Sequence, residues 1–191
     1  RFESVLVDLL KQARQAIDQG VTPIAVMDLD ETTIDSTPRR FVSLQVVLKA
    51  LCSAELDSPV CEKLKTIKLR DLYELRNRYS FTELLSHIGL TPSEWSHGFE
   101  KAWVEEYLSG RHIEWDRPFC GADFWVRQWH AIGGETLYVT SRYGDTQGAA
   151  TLDSLFRLNL LSDSIFGKLF LRERGQSSID FKKKTFEKIR S

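Results

Sequence analysis

The chain has 191 residues, 42% hydrophobic and 28% charged, which suits one domain, or one domain carrying a sizeable insertion, around a core of ordinary size. A formal net charge of -1 argues against a broad electrostatic grip on nucleic acid or an anionic membrane, while leaving room for a small basic pocket around one phosphate. No apolar run reaches the roughly 20 residues that span a bilayer, and no signal-peptide pattern opens the chain, so a cytoplasmic protein is expected.

The chain begins at Arg1 inside an amphipathic pattern, so an upstream piece is expected. From Phe2 to Gln19, Val5, Leu9, Leu10, Ala13 and Ile17 recur near helical spacing, and Gly20 ends the helix. Pro23 to Met27 is a short apolar run that stops at Asp28, the pattern of a buried parallel strand. The next eighty or so residues read as helical throughout. Phe41 to Leu48, Leu64 to Leu69 and Phe81 to Ile88 carry helical spacing, and Thr91-Pro92-Ser93-Glu94 reads as a helix start with Thr91 as N-cap. Cys52, Cys61 and Cys120 are odd in number and lack C-x-x-C spacing, so buried thiols in a reducing compartment are expected, not a disulfide framework or a zinc site. Helices are then expected over Gly121–Ile132, Thr151–Leu160 and Phe181–Ile189, with strands at Thr136–Val139 and Ile165–Leu171. Helices alternating with short apolar strands imply an α/β, Rossmann-like parallel sheet flanked by helices, from residues 1–35 and 116–191, with an all-helical insertion over 36–115.

Chemistry concentrates in Asp28-Leu29-Asp30-Glu31-Thr32-Thr33, directly after the first strand. Side chains at the carboxyl end of a parallel strand project into the ligand crevice, and residues two apart point the same way. Asp28 and Asp30 are therefore expected to face one small site. Two such carboxylates repel unless a cation intervenes, and magnesium prefers oxygen ligands. One carboxylate is then placed to attack phosphorus while the other moves a proton.

Asp28-Leu29-Asp30-Glu31-Thr32 resembles the first motif, D-x-D-x-[TV], of the haloacid dehalogenase (HAD) superfamily, in the form of its acid-phosphatase-like members. The resemblance implies that Asp28 is a nucleophile forming an aspartyl-phosphate, that Asp30 is the general acid/base, and that both help hold Mg2+. Leu137-Tyr138-Val139-Thr140-Ser141-Arg142 resembles the second motif, with Thr140 preferred over Ser141 as the phosphoryl-binding hydroxyl and Arg142 lining the site or pairing with a nearby acid. Gly121-Ala122 and Gly133-Gly134 are similar to the helix and turn that precede that motif. Phe181-Lys182-Lys183-Lys184 resembles the third motif, whose lysine offsets phosphoryl charge; Lys182 is preferred, with Lys183, Lys184 and Lys168 as alternatives. The acids of the fourth motif do not follow Lys184 and are expected beyond Ser191. The insertion stands where this family carries a helical C1-type cap.

The expectation is thus a magnesium-dependent phosphomonoesterase acting on a small phosphorylated substrate, with no nucleic-acid partner and no membrane. A phosphotransferase or nucleotidase on the same site is the nearest alternative. A non-catalytic phospholigand-binding or scaffold module is the alternative of another class. Within the insertion, Arg70, Arg76, Arg78, Tyr73, Tyr79 and His87 are weighed as substrate contacts, against their more ordinary role as a solvated helix surface. His87, His97, His112 and His130 suggest no metal-ligand set, and the tryptophans are read as packing.

Overall fold

The computed structural model describes residues 2–54, 59–75, 79–92, 94–161 and 168–190, with side chains for all of these except 2–4, 54, 94 and 95. In chain order the elements are α1 (Phe2–Asp18), β1 (Ile24–Met27), β2 (Ile34–Asp35), α2 (Thr37–Ala54), α3 (Pro59–Lys65), α4 (Leu69–Glu74), α5 (Phe81–His87) and α6 (Glu94–Leu108). A 3-10 turn at Ile113–Trp115 follows, then β3 (Arg117–Pro118), α7 (Ala122–Ala131), β4 (Glu135–Tyr143), α8 (Gly144–Arg157), β5 (Leu169–Arg172) and α9 (Ser178–Arg190). The chain divides into two compact units, Arg1–Asp35 with Pro118–Ser191, and Ser36–Arg117.

The first unit is mixed α/β. Its sheet has the order β1-β4-β5, and both pairings are parallel. Ile24 stands opposite Glu135 and Met27 opposite Tyr138, and Tyr138 in turn lies opposite Leu169. Helices α7, α8 and α9 pack against β4, the central strand. Leu29, Ile34, Val126, Tyr138, Leu155 and Leu160 form its buried core. The Tyr138 hydroxyl donates to the Leu160 carbonyl at 2.7 Å, so this buried phenol keeps a partner, and its pKa is pushed up by burial. β1 is not the buried strand expected from its apolar run: it lies at the sheet edge, and Ile24 is 47% exposed. Helix α8 begins seven residues before the expected Thr151. Gly144 and Gly148 make its first turns poor helix formers in sequence, yet Gly148 lies close against Leu171 of β5, where a larger residue would crowd the packing.

The second unit is helical; among the described residues from 36 to 116 there is no strand. Its core joins Leu44, Leu48, Leu64, Leu72, Phe81, Leu84, Phe99 and Trp103, with Phe81 stacked on Phe99 at 4.7 Å between ring centroids. Ile67 falls in the break between α3 and α4, not inside one helix, and α6 starts at Glu94, leaving Thr91 and Pro92 ahead of it; Ser93 lies outside the described residues. Arg39 is fully buried: its Nε lies 3.1 Å from Asp116 Oδ1, and its Nη2 donates to the Tyr107 hydroxyl at 2.7 Å. Arg40 is buried over the rings of Tyr79 and Trp103, at 4.1 and 5.0 Å.

The cysteines depart from expectation. Cys52 of α2 and Cys61 of α3 form a disulfide, their Cα atoms 5.7 Å apart, while Cys120 is free and exposed. The odd count concealed one pair plus a spare. A disulfide is characteristic of oxidising compartments, which removes the thiol argument for a reducing one.

Candidate functional site

The carboxyl end of β1 turns sharply. The Leu29 carbonyl accepts from the N–H groups of Thr32, Thr33 and Ile34, and the Glu31 N–H donates to Ile34 O at 2.8 Å. Glu31 takes φ 59°, a left-handed conformation unusual for a residue other than glycine, and such strain persists where surrounding structure over-determines it. Thr33 Oγ1 donates to the Asp28 carbonyl at 2.6 Å, and Leu29 is fully buried between the two aspartates. The turn therefore anchors on Leu29 and leaves Asp28 and Asp30 partly exposed, at 36% and 23% of their side chains.

Each carboxylate meets its own cation. Lys182 Nζ of α9 donates to Asp28 Oδ2 at 2.6 Å, and the Leu29 N–H donates to Asp28 Oδ1 at 2.9 Å. Arg142 grips Asp30 with two hydrogen bonds, Nε to Oδ2 at 3.0 Å and Nη2 to Oδ1 at 2.7 Å. The repulsion that called for a metal ion in the sequence argument is thus offset by two basic side chains from other elements. Among the lysines weighed, Lys182 is the one that reaches Asp28; Lys183 and Lys184 are exposed, and Lys168 pairs with Glu135 at 3.3 Å.

Arg142 reaches Asp30 from a disrupted ladder. Thr140 stands opposite Leu171 and Tyr143 opposite Arg172, so β4 carries two extra residues, Ser141 and Arg142, between consecutive partners on β5. Bulges of this kind re-aim side chains, and they concentrate beside functional sites. Thr140 does not take the exposed position expected of a phosphoryl-binding hydroxyl. It is fully buried, and its Oγ1 accepts from the Arg142 N–H at 3.3 Å. The partly exposed hydroxyl is that of Ser141, hydrogen-bonded to the Ser178 hydroxyl at the start of α9, while Arg172 Nε donates to the Ser141 carbonyl at 3.1 Å. The Arg142 side chain is 1% exposed, and Nη1 donates to Thr151 Oγ1 at 3.2 Å.

Sequence reasoning passed over Thr33, Thr151 and Ser178, whose partners are distant in sequence or carried by main chain. Ser178 alone had a visible cue, in the Ser177-Ser178 pair ahead of the lysines.

A divalent magnesium ion is commonly held by one or two carboxylates, with water and substrate phosphate completing its shell. Asp28 offers one carboxylate to such a shell, while both side-chain oxygens of Asp30 are held by Arg142. Among the described residues no third histidine, cysteine or acid joins them at ligand distance. The side chains that do gather in that way are Asp71, Glu74 and His87 in the helical unit, with His87 Nε2 at 3.9 and 3.6 Å from the two acids. Sequence reasoning gave the histidines no such role. Asp71 Oδ2 also accepts from the Lys68 N–H at 2.7 Å, a local helix-start contact that accounts for its position.

Arg70 is exposed, Tyr73 and Tyr79 are more than one-third exposed, and Arg76 and Arg78 lie outside the described residues. Among the described residues no helix is long and apolar enough to cross a membrane. No known family model matches the chain, and neither does any curated protein compared with it.

Proposed function

We propose that the chain is a HAD-type phosphomonoesterase, its α/β unit the catalytic core and its helical unit a C1-type cap that selects a small phosphorylated substrate. The observation that carries this reading is the contact between Lys182 Nζ and Asp28 Oδ2, made by residues 154 apart in sequence at the carboxyl end of a parallel strand. A lysine on a nucleophilic carboxylate offsets charge as a phosphoryl dianion approaches.

In the first step an Asp28 carboxylate oxygen attacks phosphorus, the bond from phosphorus to the ester oxygen breaks, and Asp30 gives that oxygen a proton. In the second step Asp30 takes a proton from water, the water oxygen bonds to phosphorus, and the Asp28 carboxylate leaves, releasing inorganic phosphate. A carboxylate facing a guanidinium is an acceptor, which suits Asp30 to the second step as it stands. Ser141, hydrogen-bonded to Ser178 at the start of α9, would serve as a donor for phosphoryl oxygens. Magnesium, which Asp28 would help hold, would supply positive charge to those oxygens when bound.

The test is hydrolysis of an aryl phosphate with magnesium present. Asp28→Asn is expected to lose at least about 10³-fold in kcat, as removal of a covalent nucleophile does; equal rates for the two proteins would end the reading. A second reading, a module that binds a phosphorylated ligand without turning it over, is favoured by one observation: both Asp30 oxygens are held by Arg142. Tight binding of a beryllium fluoride phosphoryl mimic with no turnover by the wild type would select it.

A further inference from the structure

The strongest unexplained arrangement in the α/β unit is the brace behind Asp30. Arg142 is one of its most deeply buried charged side chains, and it ties together groups from separate segments. Two of its nitrogens hold both Asp30 oxygens after β1, a third donates to Thr151 Oγ1 within α8, and its own N–H donates to Thr140 Oγ1 on β4. A bidentate guanidinium fixes the plane of a carboxylate as well as its position. The two-residue excess in β4 is what places Arg142 between Thr140 and Tyr143 with its side chain turned inward.

We infer that Arg142 is a positioning residue: with Thr151 behind it, it orients the Asp30 carboxylate for proton transfer and makes no contact with the phosphoryl group. This rests on the reading of Asp28 as nucleophile. The alternative the sequence suggested, a phosphate-binding arginine, requires an exposed guanidinium. Here the side chain is 1% exposed, and its nitrogens face Asp30 and Thr151.

Steady-state kinetics with an aryl phosphate and magnesium separate the two roles. Arg142→Lys keeps the charge but loses the two-point grip. It is expected to lower kcat about 10–100-fold, the scale of a misplaced catalytic group, while KM and inhibition by inorganic phosphate stay within about threefold. Thr151→Val removes one support and is expected to lower kcat less, again with KM unchanged. It also serves if Arg142→Lys folds poorly, because a kcat equal to wild type in Thr151→Val overturns the role given to Thr151. The decisive comparison is made in the Asp30→Asn background, where a residue acting through Asp30 has nothing further to lose. Arg142→Lys and Thr151→Val are expected to change kcat there by less than about threefold. A further 10-fold loss would mark a merely structural role, and a parallel rise in KM and in the phosphate inhibition constant would mark a substrate contact; either overturns the inference. If wild type is no faster than Asp28→Asn, the nucleophile reading fails and the positioning role fails with it. That outcome is distinguishable, because the Arg142 and Thr151 variants retain an Asp28-dependent rate when the nucleophile is correct.

Discussion

His130 sits on α7 with its Nε2 3.0 Å from Thr136 Oγ1, and its pKa is lowered from the ordinary 6.5. Burial is the largest cause and the nearby Lys168 ammonium the second; Glu135 pulls the other way. The folded state therefore prefers neutral imidazole, so the contribution of this group to stability is complete above about pH 6.5 and is lost as the pH falls below that value. Thermal unfolding followed from about pH 7.5 to pH 5.5 is expected to show a flatter decline in His130→Asn than in wild type. At this same scale the candidate site was half legible. Asp28 and Asp30 are legible because the pair follows directly on an apolar strand, and Lys182 only through its resemblance to the third HAD motif. Which of Thr140 and Ser141 carries the exposed hydroxyl was not legible, since it depends on where the β4 ladder slips, and a slip has no signature in residue type. For the same reason, the pairing of Arg142 with Asp30 was visible no further than as one of two options.

The turn from α7 into β4 shows how closely neighbouring elements are fitted. Gly134 packs under Trp129, whose indole Nε1 donates to the Glu135 carbonyl at 2.9 Å. A Cβ at Gly134 would lie 2.5 Å from that nitrogen. Gly134→Ala is therefore expected to push the ring aside, break its hydrogen bond and cost about 1–3 kcal/mol, measurable by denaturant unfolding with an unchanged m value. Helix and strand identities were read well from periodicity, their ends less well. α8 was started late because Gly144 and Gly148 look like loop in isolation, and what holds them helical is packing against β5. α3 and α4 share one apolar spacing in sequence, yet the chain breaks between them at Ile67, where the side chain stays buried without helical backbone. β1 was read as a buried strand on its apolar character, but whether a strand has one neighbour or two, and so how far it is covered, is decided by pairings distant in sequence.

At the scale of the whole chain, the helical unit carries its own covalent tie. The Cys52–Cys61 bond closes a loop across a separation of 9 residues, and a loop of that size stabilises a fold by about 2–3 kcal/mol through the entropy of the unfolded chain. Replacing both cysteines with serine is expected to lower the unfolding midpoint of the helical unit. If the α/β unit unfolds separately, its transition is expected to stay where it was; calorimetry reads both. This tie was hidden by arithmetic: three cysteines without a recognised spacing gave no pairing, and the decisive fact, that the ends of α2 and α3 meet, belongs to tertiary structure. The alternation of helices and strands on either side of a helical stretch was, by contrast, open to reading, because hydrophobic periodicity survives an insertion.

The register of β1 against β4 has one further consequence, for synthesis on the ribosome. Ile24 must wait for Glu135 before it has a partner, and the whole helical unit emerges in between. Its core lies within residues 44–103, so it is free to close while β1 is still an unpaired strand, and the capture of that strand must reach across the insertion. Asp28 meets its lysine last of all, when residue 182 has left the exit tunnel. A nascent chain stalled before that point would carry Asp28 without the lysine that pairs with it and, if Asp28 is the nucleophile proposed above, would be chemically silent however well its helices had formed.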